Sequence, residues 1–217
     1  MAQYINIIAA GGKGTRFGAS MPKQFCELNG MPVLHHAIKQ LSNALPHATT
    51  VVVIDPEWAD MAPEGAILAM PGKTRRESVK NALDACANID ADMILVHDGA
   101  RPIPSTDMIH RVIDACKNHH GAIPVIPVTD SLRRTDGSPA NRADFRAVQT
   151  PQAFQAKLLR EAYCQPERPE DTDDASVMTA AGFTDIVLAD GDPYNIKITN
   201  PLDLKIAELF LQSGNIN

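Results

Sequence analysis

Short apolar segments alternate along this chain with longer segments whose apolar residues recur every three or four positions. The short segments predict β-strands at 5–8, 50–54, 93–96, 122–127 and 186–188, and 195–199 is expected to be extended as well. The longer segments predict helices at 32–45, 77–89, after Ser105 to about 119, at 156–164, from 173 onward and at 201–211. Regular alternation of strand and helix is typical of βαβ units. We therefore predict an α/β fold, a single Rossmann-like domain with a mostly parallel, twisted sheet.

Residues 131–149 break this alternation. The stretch is polar, carries four arginines and contains Asp136-Gly137, a dipeptide typical of tight hairpin turns. We predict a β-arm projecting from a domain that spans 1–217, because the stretch has too few apolar residues for a core of its own. The alternative is a surface loop with solvated charges. Pro124 and Pro127 are expected to place the 122–127 strand at a sheet edge, or to fall at its ends, since proline lacks an N–H donor.

The composition is that of a globular protein in a reducing compartment. The 217 residues carry a net charge of −6, which argues against a nucleic-acid-binding surface. The four cysteines lie far apart without zinc-ligand spacing, so free thiols are expected. No segment approaches the roughly 18 apolar residues that cross a bilayer, and no signal peptide is recognisable. We therefore expect a cytoplasmic protein without membrane or nucleic-acid partners.

The strongest functional signal is the sequence AAGGKGTRFG at 9–18, directly after the first predicted strand. A glycine-rich turn at the end of a strand lets backbone N–H groups approach a ligand without side chains in the way. Arg16 and Lys23 add two positive charges to this turn. Turn and charges together predict a polyphosphate site, and the alternative is a plain tight connection from strand to helix.

Two common phosphate-binding loops do not fit this sequence. The dinucleotide fingerprint G-x-G-x-x-G would begin at Gly12 and would need a third glycine where Phe17 stands. Gly72-Lys73-Thr74 resembles the end of a P-loop, but Ile67 occupies the position of the first P-loop glycine. A nicotinamide-dependent oxidoreductase is therefore a remote alternative.

Other charged residues fall where the predicted strands end. Asp98 and Arg101 follow the strand at 93–96, and Lys197 belongs to the last extended segment. Because ligands of open α/β sheets bind beyond the carboxyl ends of the strands, we expect these side chains to meet Arg16 and Lys23 at one mouth. Asp98 is a candidate Mg²⁺ ligand beside substrate phosphates, and its alternative role is to cap the turn that it begins.

The residues favour a reaction at phosphorus without a covalent intermediate. Fixed cations stabilise the charge that develops around an attacked phosphorus. No G-x-S-x-G nucleophile elbow is present, and His97 is expected to be structural. The attacking group expected for such a reaction needs no general base.

Seven motifs follow one another in a fixed order: AAGGKGTR at 9–16, PKQ at 22–24, RESV at 76–79, HDGARP at 97–102, TPQ at 150–152, TDDAS at 172–176 and NIKIT at 195–199. In these motifs, and over essentially its whole length, the chain resembles the 2-C-methyl-D-erythritol 4-phosphate cytidylyltransferases of the non-mevalonate isoprenoid pathway. The motifs are highly specific for cytidylyltransferases and discriminate less well among their alcohol-phosphate substrates.

The resemblance implies transfer of CMP from CTP to 2-C-methyl-D-erythritol 4-phosphate, with release of diphosphate and a requirement for Mg²⁺. It implies that Arg16 and Lys23 bind the triphosphate and stabilise the transition state, and that Lys197 bridges both substrates at the reacting phosphate. Asp98 and Arg101 match positions near the metal and the polyol phosphate. The CTP-binding positions that it implies are Ala10, Gly11, Gly12, Gly14, Gly72 and Ser78.

The resemblance also implies a homodimer in which the arm crosses to the partner chain's substrate. Ser131, in place of a more usual threonine, and Arg142 would make that contact. Arg142 is placed by counting back from the 150–152 motif, with Arg146 as the alternative. Lys73 stands where an acidic residue near the base is common. The remaining alternatives are a cytidylyltransferase for another polyol phosphate, such as ribitol 5-phosphate, and a non-catalytic nucleotide-binding protein of the same fold.

Overall fold

A mixed sheet with helices on both faces forms the centre of the computed structural model, which describes residues 2–12, 17 and 21–213. The strands are β1 (Tyr4–Ala9), β2 (Glu27–Leu28), β3 (Met31–Pro32), β4 (Thr49–Val53), β5 (Ile67–Ala69), β6 (Met93–Asp98), β7 (Gly121–Pro127), β8 (Leu132–Arg133), β9 (Pro139–Ala140), β10 (Arg146–Val148), β11 (Gln152–Gln155) and β12 (Ile186–Asp190). The α-helices are α1 (Val33–Ala44), α2 (Arg75–Ala85), α3 (Thr106–Cys116), α4 (Ala156–Tyr163), α5 (Asp174–Ala180) and α6 (Pro201–Gln212). Among the described residues, no helix is both long enough and apolar enough to cross a membrane.

The sheet has eight strands in the order β10-β7-β11-β6-β1-β4-β5, with β12 also paired to β7. Neighbours β6, β1, β4 and β5 all run parallel, and β12 runs parallel to β7. Only β10 and β11, among the described strands of this sheet, pair antiparallel with their neighbours. The predicted α/β class with a mostly parallel sheet is therefore confirmed, although β5 and β11 were not predicted because each is too short to give a pattern.

Side chains of β1 alternate between two apolar layers, as the period of a strand requires. Ile5 and Ile7 belong to the layer formed with α2, α4 and α5. Ile8 belongs to the layer formed with α1 and α3. All three side chains are fully buried. Burial on both faces fixes the register of the strand. It thereby also fixes the point at the edge of the sheet where the chain leaves β1 and enters the loop after Ala9.

The predicted helices are confirmed, with shifted ends. α2 begins at Arg75 because Thr74 caps it, its Oγ1 accepting a hydrogen bond from the N–H of Glu77 at 3.0 Å. It ends at Ala85, four residues before the predicted end. α3 begins after Ser105, whose hydroxyl accepts from the N–H of Met108, and ends at 116 rather than 119. Both helices therefore start where a hydroxyl satisfies free N–H groups.

Of the two placements expected for the prolines of the 122–127 strand, the strand end is confirmed for Pro127 and the sheet edge is wrong. β7 is not at an edge, because it pairs with β12 as well as with β10 and β11. The carbonyl of Pro124 accepts from the N–H of Gln149, between β10 and β11. The proline nitrogen lies on the same side of the strand and so faces this gap, where the ladder of hydrogen bonds is already interrupted and its missing N–H costs little. The 195–199 segment pairs with no described strand of the sheet, so its extended conformation stays a prediction. It is tied to the loop after β6 by the N–H of Ile198, which donates to the carbonyl of Ala100 at 2.8 Å.

The arginine-rich stretch contains the predicted hairpin. β8 pairs antiparallel with β9, and Gly137 in the turn has φ of +85°, a conformation that favours glycine. The turn is closed by Asp136, whose carboxylate accepts from the N–H of Ser138 at 2.8 Å. Phe145 and Val148, at the return of this stretch, are exposed to solvent. The residues of this stretch therefore belong to neither apolar layer, although its last strand, β10, pairs with β7 in the central sheet.

Candidate active site

A cleft of about 990 Å³ opens beyond the carboxyl ends of β1, β4, β5 and β6. This is where ligands bind in open α/β sheets. Its walls come from six separate parts of the chain: 9–12, 23–24, Asp55, 70–78, 98–100 and Lys197. The cleft therefore brings together most of the motifs that the sequence singled out.

The glycine loop is held from below by Gln24, which is almost fully buried. Its Nε2 donates to the carbonyls of Ala10 and Gly12, at 2.7 and 2.8 Å. Gly11 passes so close to Pro71 that a Cβ at that position would lie 2.6 Å from the proline Cβ. The loop thus needs both its glycine and this amide. Sequence reasoning quoted Gln24 within a motif but gave it no role, because the two carbonyls it binds lie 14 and 12 residues before it and approach it only in the fold.

Replacing Gln24 with leucine is expected to weaken CTP binding about tenfold, because it leaves two carbonyls without their donor at a cost of roughly 1–3 kcal/mol. Titration calorimetry with CTP measures the change. Gln155→Leu is the matched control, since the amide of Gln155 donates to the carbonyl of His119 outside the cleft. Equal CTP affinities for wild type and Gln24→Leu would contradict the role given to this amide.

Gly72 and Ser78 hold the opposite wall together. The N–H of Gly72 donates to Ser78 Oγ at 2.9 Å, and that hydroxyl donates to the carbonyl of Thr74 at 2.8 Å. A Cβ on Gly72 would overlap the side chain of Glu77, so the first turn of α2 leaves no room for a side chain there. The N–H of Lys73 donates to the Glu77 carboxylate at 2.6 Å. These bonds fix the loop against the helix that follows it.

Asp98, at the end of β6, is the carboxylate around which cations collect. Lys197 Nζ lies 2.7 Å from its Oδ2 and Arg75 Nε lies 3.4 Å from its Oδ1, while Arg101 Nε is 3.8 Å from Oδ2. Burial of the carboxyl opposes its ionisation, but Arg75, Lys197 and Arg101 outweigh that effect and hold the pKa of Asp98 well below its usual range. The group is therefore a carboxylate near neutral pH.

Arg75 connects this carboxylate to a second one. Its Nη2 donates to Asp174 Oδ2 at 2.7 Å, and Asp174, fully buried at the start of α5, also accepts from the hydroxyl of Tyr163 at 2.5 Å. Burial disfavours the charged guanidinium, but Asp174 and Asp98 raise the pKa of Arg75 well above its ordinary value. The arginine is thus permanently charged and held at two points.

Arg101 lies behind Asp98 and does not line the cleft. Its guanidinium donates to the carbonyls of Asn195 and Val148, at 2.7 and 3.3 Å. Burial lowers the pKa of Arg101. In the described structure, the side chain therefore ties the segment before Lys197 to the base of the hairpin stretch.

His97 is structural, as its surroundings show. Its ring is fully buried, with Nε2 2.9 Å from the carbonyl of Arg101 and Nδ1 3.1 Å from Thr150 Oγ1. Because a carbonyl can only accept, the neutral ring carries its proton on Nε2, and the hydroxyl of Thr150 donates to Nδ1 while accepting from the N–H of Asp98 at 3.0 Å. Burial lowers the pKa of His97 to about 4. The ring supports the backbone of Asp98 and stays uncharged.

The burial of His97 predicts a pH dependence of folding. Its pKa is about 4 in the folded chain and about 6.5 when unfolded, so the unfolded chain binds the additional proton between these values. The part of the free energy of unfolding that depends on neutral His97 is fully present above pH 6.5. It declines towards pH 4, by up to about 1.4 kcal/mol per pH unit. Urea unfolding from pH 7 to pH 4 should show a shallower decline for His97→Gln than for wild type. The exposed His47, replaced by glutamine, is the control, and identical declines in His97→Gln and wild type would refute the assignment.

The cleft collects eight of the predicted site residues: Ala10, Gly11, Gly12, Lys23, Gly72, Ser78, Asp98 and Lys197. Two others, Gly14 and Arg16, lie outside the described residues. Ser131 and Arg142 are exposed on the arginine-rich stretch, away from the cleft of their own chain. Arg142 donates to the carbonyl of Thr129 and its alternative, Arg146, donates to that of Ala143.

The donor set at the cleft suits a metal that arrives with its ligand. Within the described ranges, no three His, Cys, Asp or Glu side chains cluster as a metal site would require. Asp98 offers one ionised carboxylate at the cleft wall. Mg²⁺ is commonly held by one or two carboxylates together with substrate phosphates, so this single carboxylate fits such an ion.

The family model that describes IspD, 2-C-methyl-D-erythritol 4-phosphate cytidylyltransferase, matches residues 4–213. The chain belongs to this family. Its members are cytidylyltransferases, a class of nucleotidyltransferase, and the resemblance seen in the motifs is confirmed.

Individual members of the IspD family agree with this assignment. The chain is 39% identical to the 2-C-methyl-D-erythritol 4-phosphate cytidylyltransferase of Bacteroides thetaiotaomicron, over 94% of this chain and 98% of that protein. The crystal structure of the Thermus thermophilus enzyme of the same name superposes with a TM-score of 0.79 at 31% identity, covering 96% of this chain and 99% of the other. The bifunctional IspDF of Campylobacter jejuni gives a TM-score of 0.84 at 30% identity, and the match covers 94% of this chain but 54% of that longer one.

Proposed function

We propose that this chain transfers CMP from CTP to 2-C-methyl-D-erythritol 4-phosphate, forming 4-diphosphocytidyl-2-C-methyl-D-erythritol and releasing diphosphate for isoprenoid precursor synthesis. The observation that carries the proposal is the meeting of Lys23, Lys197 and Asp98 with the glycine loop in one cleft. Lys197 and Asp98 are 99 residues apart in sequence and are joined at 2.7 Å. The family to which the chain belongs supports the choice of reaction.

The reaction is an in-line substitution at the α-phosphorus of CTP. An oxygen of the polyol phosphate forms the new P–O bond, the bond from the α-phosphorus to the bridging oxygen breaks, and diphosphate leaves with that electron pair. Lys23, together with Arg16, stabilises the charge on the triphosphate, while Lys197 binds at the reacting phosphate. The nucleophile is already an anion, so positioning and charge are the chain's contribution.

Mg²⁺ is proposed as the cofactor, held by Asp98 and by the phosphates of CTP. When bound, such an ion neutralises phosphate charge and supports the departure of diphosphate. Asp98 fits that role because its carboxylate is ionised and forms part of the cleft wall.

A homodimer is proposed to complete the site. Ser131 and Arg142 are exposed on the hairpin stretch and would act at the cleft of the partner. Arg101 is proposed to act on the polyol phosphate, although its hydrogen bonds in the described structure go to backbone carbonyls. The chain is proposed to be one cytoplasmic nucleotidyltransferase domain over 1–217, with the arm at 131–149.

Diphosphate release in the presence of CTP, Mg²⁺ and 2-C-methyl-D-erythritol 4-phosphate tests the reaction. Ribitol 5-phosphate in a parallel assay tests the alternative acceptor, and omission of either substrate gives the background. Turnover with the methylerythritol phosphate at least tenfold above that with ribitol phosphate is expected. Faster turnover with ribitol 5-phosphate, or CTP binding without any turnover, would overturn the proposal.

A further inference from the structure

Arg75 forms part of the cleft wall, yet no motif reasoning gave it a task. It is the first residue of α2, and its side chain is 30% exposed. The guanidinium spans two carboxylates that belong to different elements, Asp98 at the end of β6 and Asp174 at the start of α5.

The two oxygens of Asp98 have different partners. Lys197 Nζ donates to Oδ2 at 2.7 Å, and Arg101 Nε lies 3.8 Å from the same oxygen. Arg75 Nε faces the other oxygen, Oδ1, at 3.4 Å. The carboxylate is thereby held from both sides, with Lys197 and Arg75 on opposite oxygens.

Lys197 Nζ donates to Oδ2, so it can direct its full charge to a substrate phosphate only by moving away from this carboxylate. Its departure would leave Asp98 as a negative charge in the wall that receives the phosphates. Arg75 stays in place through that exchange, because its Nη2 is bonded to Asp174 at 2.7 Å. Two negative groups in one cleft repel each other strongly unless a cation lies between them or beside one of them.

We infer that Arg75 is a positioning residue of this site, which neutralises and orients Asp98 so that Lys197 is free to move to a substrate phosphate. The inference rests on the proposed function, since it concerns the lysine at the reacting phosphate. Arginine suits this role better than lysine, because its planar fork contacts two carboxylates at once from fixed directions.

A double-mutant cycle tests whether Arg75 acts through Asp98. Arg75→Ala is expected to weaken CTP binding and to lower kcat/KM by about 10–100-fold, in the range seen when a group that orients a functional ligand is removed. In the Asp98→Asn background the same substitution is expected to change both quantities by less than about threefold, because the carboxylate it acts on is gone. Equal losses in the two backgrounds would overturn the inference.

A matched pair of arginines separates positioning from stability. Arg76 follows Arg75 on the same helix and is paired at 3.1 Å with Asp171, a buried carboxylate outside the cleft. Arg75→Lys keeps the charge but reaches one carboxylate, so we expect a partial loss of kcat/KM with folding retained. Arg76→Lys is expected to lower the melting temperature at least as much while leaving kcat/KM within about threefold. Parallel losses of activity and melting temperature in both variants would show that Arg75 is merely structural.

Failure of the proposed function gives a different result. CTP binding by calorimetry needs no turnover, so a wild-type chain that binds CTP without releasing diphosphate would overturn the reaction while the cycle still decides the role of Arg75. A wild-type chain that does not bind CTP would overturn both.

Discussion

Lys197→Ala should reduce kcat/KM for diphosphate release by about 10²–10³-fold, because it removes a preorganised positive charge from the reacting phosphate. Lys197 is the one charged residue of the NIKIT sequence at 195–199, and its Nζ donates to Asp98 Oδ2 at 2.7 Å. The loss is expected mainly in kcat, since charge develops on the attacked phosphorus only as the reaction proceeds. Steady-state kinetics with both substrates varied gives the separation.

Lys205→Ala on the exposed side of α6 is the control for the general loss of a positive charge. Lys197→Arg, which keeps the charge but changes its geometry, should fall between wild type and Lys197→Ala. A loss of less than about tenfold in Lys197→Ala would contradict a role in the transition state.

Asp98→Asn is expected to lower kcat/KM by at least about 10²-fold and to raise the Mg²⁺ concentration needed for half-maximal activity. The substitution removes the proposed metal ligand and the negative charge that Arg75, Lys197 and Arg101 share. These three cations are positioned by Asp98, so its loss is expected to displace them. A displacement of a reacting group by about 1 Å can by itself lower the rate about 10²-fold.

The same variant should also change the response of folding to acid. The pKa of Asp98 is far lower in the folded chain than in the unfolded chain, so its contribution to stability is present above about pH 4 and is lost as the pH falls below that value. Asp98→Asn should therefore be less stable at pH 7 and lose less of its stability in acid. Asp84, an exposed residue of α2, serves as the control when replaced by asparagine. An unaltered Mg²⁺ dependence in Asp98→Asn would exclude this carboxylate as the metal ligand.

Much of the fold could be predicted because local patterns dominate it. The buried strand β4 is a short continuous run of β-branched residues, whereas the apolar residues of α3 recur every three or four positions, and both patterns are local. Helix N-caps could be predicted as well. The side chain of Asn200 accepts from the N–H groups of Leu202 and Asp203, and α6 begins at the next residue, Pro201, as predicted. The short β5 and β11 could not be predicted, because their conformation depends on neighbouring strands that are distant in sequence.

The motifs predicted which residues meet but not how they are connected. Lys23, Asp98 and Lys197 were expected at one mouth, and the cleft contains all three. Gln24 beneath the glycine loop escaped notice because its hydrogen-bond partners are backbone carbonyls, which leave no mark on a sequence. Arg75 escaped because its two carboxylates lie 23 and 99 residues away.

The sequence by itself determined the class of fold and the family and predicted a phosphate site at the loop after β1, because periodicity and glycine spacing are local properties of the chain. The tertiary structure alone decided that Asp98 is shared by three cations, that Arg101 faces the backbone and that His97 is neutral. Those properties arise from burial and from charges brought within about 4 Å of one another, where interactions that water would otherwise screen become strong.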